Sequence, residues 1–188
     1  MRSKWLEMDN FERWFRNHFG TTAPVGYCLR ADHHERWVRL HSLPESKRYA
    51  EDASERAEVR RRAWAAASEV LPTGSPVWLV VPTFEREHPG LQSLSLAFED
   101  AGRYEHELFE GPLEARVART TWPHPGFDQL INEVAADALR AVWFSMTSGE
   151  VFAPYDGGID LIGKSARRAE TLRKVFPPDW FSKRADGL

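Results

Sequence analysis

Cysteine is nearly absent: Cys28 stands alone, which rules out an intramolecular disulfide and any multi-cysteine metal site. Its neighbours Val25, Gly26, Tyr27 and Leu29 are mostly apolar, so it reads as a small buried hydrophobe rather than a nucleophile. Long hydrophobic runs are also missing. No stretch approaches the roughly 20 apolar residues a membrane helix needs. The amino terminus, Met1, Arg2, Ser3, Lys4, Trp5, has no signal-peptide core. These absences predict a soluble cytoplasmic protein with no membrane partner. Charge of one sign is lacking too, since the formal net charge of −3 points to neither a nucleic-acid partner nor an acid tail. No Gly/Ser/Pro-rich linker divides the 188 residues, which predicts one domain over 1–188. GxSxG, GxxxxGK[ST], HExxH and GxGxxG motifs are all absent, and with them any sequence reason to expect a cofactor or a metal.

Against these gaps, residues 36–49 carry an unusual density of chemistry. Trp37, Arg39 and His41 alternate with Val38 and Leu40, the two-residue period of a strand. Leu43 precedes Pro44, which disfavours helix at that point. Ser42, Glu45, Ser46, Lys47 and Arg48 then crowd around the proline. A planar Arg fork beside a Lys point charge suits a carboxylate or phosphate. The plainer reading is a solvated loop whose cations pair with Glu45, Glu51 and Asp52.

The rest of the chain reads as alternating elements. An aromatic stripe of Phe11, Trp14, Phe15 and Phe19 predicts a core-facing helix over 9–19, capped by Asp9 and ended by Gly20. Segments 25–30 and 36–41 read as strands joined by a hairpin loop at 31–35. His33 and His34, being adjacent, point apart and give no converging metal ligands. Asp52 and Glu55 open a long helix over 52–71 with Ala53, Ala57, Trp64, Ala67 and Val70 inward and an Arg56, Arg60, Arg61, Arg62 basic band outward. The unbroken apolar run 76–82 predicts a central strand buried on both faces. Alternation predicts half-buried strands at 94–98 and 113–117, with a weaker edge strand at 103–109. A helix over 127–138, strands at 141–146 and 151–152, and a helix from a Ser165 cap to Val175 complete the pattern. Trp180 and Phe181 are expected to fold back on the core. The fold class is therefore α+β, a largely antiparallel central sheet with helices packed on one face. Two hairpin-then-helix segments, 25–71 and 140–176, form a candidate pseudo-repeat.

A second polar cluster, Tyr155, Asp156 and Asp160, surrounds the adjacent glycines Gly157 and Gly158. If it shares one rim with 41–49, the candidate binding residues are Arg39, His41, Ser42, Glu45, Lys47, Arg48, Tyr155, Asp156 and Asp160. No catalytic residue is assigned among them.

Four blocks, 26–30, 36–49, 151–162 and 180–188, resemble those of an uncharacterised bacterial family with HSLPESKRY-type and YDGG-D-type segments. The resemblance covers both ends of the chain, leaves about 72–135 unmatched, and implies a bacterial source without transferring a mechanism. Two function classes follow. The first is a non-catalytic protein-binding domain of immunity or interaction type. The alternative is a small hydrolase or nucleotide- or phosphate-handling enzyme using loops 41–49 and 155–160. Oligomeric state is open in both.

Overall fold

In a computed structural model, residues 10–83, 91 and 94–181 are described. Among these, helices α1 (Phe11–Phe19) and α2 (Gly26–Asp32) lead into β1 (Trp37–His41) and the long α3 (Ala53–Val70). Three strands follow, β2 (Pro76–Thr83), β3 (Glu99–Tyr104) and β4 (Leu113–Thr121), and then α4 (Phe127–Ala135). β5 (Val142–Ser145), β6 (Val151–Tyr155), β7 (Gly158–Ile162) and α5 (Ala166–Val175) close the order. The strands form one antiparallel sheet ordered β1-β7-β6-β5-β2-β4-β3, the α+β class that the pattern predicts.

Strand periodicity divides the core into two layers. One face carries Leu40, Leu79, Trp143, Phe152 and Leu161 against α3, α4 and α5. The other carries Trp78, Val80, Phe144, Val151 and Ile162 against the aromatic stripe of α1 and Leu29 of α2. Packing helices on one face thus describes α3, α4 and α5, while α1 and α2 cover the opposite face. Phe144 is the hub of that second layer, with Phe15 and Phe19 ring centroids 5.5 and 5.6 Å away. β2 is the interior strand expected, between β5 and β4, with its middle six residues buried.

Local caps follow the sequence signals closely. The Asp52 carboxylate accepts the Glu55 N–H at 2.8 Å, and the Ser165 hydroxyl accepts the Arg168 N–H at 3.2 Å. α1 is capped by Asn10, which accepts the Arg13 N–H at 2.9 Å; Asp9 lies outside the described residues. Trp180 returns to the core as expected, stacked 5.7 Å from Phe176.

Several elements depart from the sequence reading. Segment 25–30 is helical rather than a strand, because Val25, Cys28 and Leu29 satisfy a helical burial spacing as well as a short apolar run. The 31–35 hairpin loop and the first half of the pseudo-repeat disappear with it. On α3 the buried stripe is Val59, Ala63, Ala66, Ala67 and Val70, and it includes Arg62; Ala53 and Ala57 are exposed. The strand read at 94–98 is a turn with Ser95 at φ 51°, and its residue 93 is outside the described residues. The neighbouring strand instead starts at Glu99 and bulges at Gly102.

The outer edge of β1 is closed by side chains. Arg173 of α5 donates to the Trp37 carbonyl at 2.6 Å, and Arg62 of α3 donates to the His41 carbonyl at 3.1 Å. These two arginines occupy acceptors that an added strand would use.

Candidate functional site

Two glycines allow the polar elements to approach. A Cβ on Gly26 would sit 3.1 Å from the Ala153 Cβ, so glycine lets the start of α2 lie against β6. One helical turn later, Arg30 reaches β7. Gly157 holds the β6–β7 turn at φ 89°, and Arg48 packs directly over it. The turn after β1 and the turn between β6 and β7 therefore meet. The Ser42 N–H donates to the Gly157 carbonyl at 3.1 Å, Arg48 forms an ion pair with Asp156, and Tyr49 donates to the same carboxylate at 3.1 Å.

At the centre of this junction lies Asp160, 1% exposed. Its carboxylate accepts the Trp37 Nε1–H at 2.8 Å, Arg30 at 3.2 Å and Arg39 Nε–H at 3.3 Å. Register explains the convergence: Arg39 pairs directly with Asp160 across the β1–β7 ladder, and Trp37 lies on the same face two residues away. The Arg39 guanidinium carbon lies 5.3 Å from the Trp37 ring and 5.0 Å from the Tyr155 ring, so aromatic faces flank the cation. Burial pushes the Asp160 carboxyl above its usual range, against the pull of Arg39, the Trp37 N–H and Arg30. A proton there would leave two guanidiniums facing each other without a counter-charge, so the carboxylate form is the one that holds the cluster. Burial, then the Asp160 charge, also raises the Tyr155 phenol.

The cluster forms one wall of a cavity of about 340 Å³ bounded by α2, the α4–β5 loop and the β6–β7 turn. Arg30, Arg39, Arg48 and Arg140 line it together with Asp137, Asp156 and Asp160, an excess of one positive charge. Arg140 reaches over the Tyr27 ring at 5.9 Å. Beyond Asp160, no acceptor for the Arg30 or Arg39 guanidinium is present among the described residues. Among the described residues, no Ser, Thr, Cys, His or Lys lines the cavity.

Of the candidate residues read from sequence, Arg39, Arg48, Tyr155, Asp156 and Asp160 line this cavity. Four others do not. His41 shares a 3.0 Å hydrogen bond with Ser46, and burial, Arg39 and Arg62 lower its pKa. Ser42 is buried. Lys47 turns toward α3 to meet Glu55 at 2.7 Å and Glu51 at 3.1 Å. Glu45 is exposed in the left-handed region at φ 57°. Arg30, Tyr27, Asp137 and Arg140 were missed. Arg30 and Tyr27 are three residues apart, which only helical geometry puts on one face, whereas the apolar run in 25–30 reads as a strand. Among the described residues, no three His, Cys, Asp or Glu side chains cluster to hold a metal ion, and no helix is long and apolar enough to cross a membrane.

Fold and site together define an α+β domain with one antiparallel sheet and a buried arginine–aspartate cluster beside a basic cavity. The chain belongs to the family Domain of unknown function (DUF3885), whose model matches residues 25–185. That match spans both site turns, α2, and the stretch 72–135 that the sequence blocks left unmatched. Comparison with curated proteins and with solved structures gives no significant match.

Proposed function

We propose that this chain is a non-catalytic binding domain that holds an acidic group of a protein partner in the cavity around Arg30 and Arg39. The observation that carries this reading is the division of labour at Asp160. One buried carboxylate fixes two arginines by a single contact each and leaves their other donors for an incoming acceptor. The lining supports recognition more than turnover, because among the described residues it offers no hydroxyl, thiol or imidazole beside those cations apart from two tyrosine phenols. His41, the base on which the hydrolase alternative leans, lies outside the lining and is engaged by Ser46.

The test is affinity capture with the full chain and with Arg30→Gln, followed by titration of the purified partner. Arg30 is partly exposed, so its substitution is expected to leave the fold intact. The expected result is one partner bound with nanomolar Kd by the wild type and at least tenfold more weakly by the variant. Equal capture by both proteins, or phosphoester or acyl-ester turnover that Arg30→Gln abolishes, would overturn the reading.

A further inference from the structure

We infer that the cavity is a site for a single carboxylate carried on an apolar body, gripped by Arg39 and Arg30, with Asp160 as the residue that positions both. The inference rests on the binding reading above and narrows its ligand chemistry. Three observations carry it.

The first is charge. Four arginines and three aspartates leave one positive charge in excess at the cavity wall. One monoanion neutralises that excess, whereas a phosphate dianion would leave a negative surplus beside Asp137 and Asp156.

The second is donor geometry. Arg39 contacts Asp160 through Nε, and Arg30 contacts it through one terminal nitrogen. A guanidinium has five N–H donors in a fixed planar fork, so each residue keeps donors that match the two oxygens of a carboxylate. Trp37 and Tyr155 flank the Arg39 group and hold its plane.

The third is the apolar part of the lining. Val25, Val134, Leu139, Val142 and Pro154 line the same cavity, with Arg140 and Asp137 adjoining Leu139. A volume of about 340 Å³ is at the small end of the range for ligand sites, roughly 300–1,000 Å³, and suits one side chain with its carboxylate. A free apolar acid and the carboxyl-terminal residue of a peptide share this chemistry.

Calorimetric titration of the full chain separates these sources. The probes are 3-phenylpropionate, its amide, the tripeptide Ala-Ala-Phe with a free or amidated carboxyl terminus, and inorganic phosphate. The inference expects saturable binding of the free carboxylates and at least tenfold weaker binding of the amides and of phosphate. Preference for the tripeptide over 3-phenylpropionate identifies a peptide terminus as the ligand, and the reverse identifies a small acid.

Arg30→Gln and Arg39→Lys are each expected to weaken carboxylate binding tenfold or more, the second while keeping the charge but losing the fork. Circular dichroism and thermal melting show whether each variant is folded, and Arg30→Gln, at a partly exposed side chain, stands if Arg39→Lys melts. Amide binding equal to acid binding, tighter binding of phosphate, or unchanged affinity in a folded Arg30→Gln would each overturn the inference. Absence of carboxylate binding with Arg30-dependent partner capture intact sinks this inference alone. Carboxylate binding with partner capture indifferent to Arg30 sinks the partner reading alone.

Discussion

Asp160 shows at the scale of one residue how a costly group is made tolerable. An ionised carboxylate out of water is strongly disfavoured unless opposite charges and N–H donors surround it, and Asp160 has two arginines and an indole N–H. Gly158 beside it admits no side chain, since a Cβ there would come within 2.1 Å of the Tyr155 hydroxyl and 3.0 Å of the Leu40 carbonyl. Asp160→Ala removes the counter-charge and leaves two cations crowded against Trp37. The expected cost is about 3–5 kcal/mol, read from urea unfolding. A loss below about 1 kcal/mol would mean that the arginines swing out to water and that Asp160 does not organise the cavity. Arg62 follows the same logic elsewhere. It is 2% exposed and bridges Glu58 at 2.6 Å to the His41 carbonyl, so a residue read as part of a solvated basic band is internal scaffolding.

Among the elements, α5 connects stability to the site most directly. It covers the β1 edge through Arg173, and β1 carries Trp37 and Arg39. Its first turn depends on the Ser165 hydroxyl, which satisfies the Arg168 N–H. Ser165→Ala is expected to lower stability by about 1 kcal/mol, measured by chemical denaturation, because an orphan donor at the helix start loses its acceptor. Ser165→Asp is expected to restore it, and failure of that rescue would show that the hydroxyl acts in some way other than as a cap. The helix α2 teaches a different lesson at this scale. Seven residues with apolar positions at 28 and 29, preceded by Val25, satisfy strand and helix templates almost equally, so periodicity could not choose between them. Packing against Ala153 through Gly26 made the choice, and it also created the face that carries Tyr27 and Arg30.

Across the whole molecule, acid is expected to weaken the fold in two stages. Burial, Arg39 and Arg62 lower the His41 pKa, and burial and Arg36 lower that of His33. Below about pH 6.5 the unfolded chain therefore takes up protons that the folded chain resists, so the unfolding free energy falls with pH. The Glu58 carboxyl, held by Arg61 and Arg62, is lowered to about 2. Its contribution is complete above the ordinary glutamate value near 4.3 and is lost as pH falls from there toward about 2. Thermal melts between pH 8 and 3 are expected to show both limbs. His41→Gln should flatten the upper limb and Glu58→Gln the lower, the difference between variants isolating each group. A Tm that stays constant from pH 7.5 to 5 in the wild type would refute the histidine limb.

Much of the architecture was legible in the amino-acid order because it depends on short-range physics. The aromatic stripe of α1, the unbroken apolar run of β2 and the Asp52 and Ser165 caps each signal through neighbours within a few residues. Part of the site was legible for a similar reason: charged residues beside Pro44 and Gly157 mark turns that free side chains for other uses. Their meeting was not legible, nor was the sorting of Arg39, Arg48, Tyr155, Asp156 and Asp160 from His41, Ser42, Glu45 and Lys47. Those outcomes depend on β1 pairing with β7 across more than a hundred residues, and on a helix at 26–32 that supplies Arg30 from outside the sheet. Sequence alone determined which segments bury their apolar faces. Only the tertiary structure decided which charges share one cavity, because the balance among Arg30, Arg39 and Asp160 exists only once their backbones lie within hydrogen-bond reach.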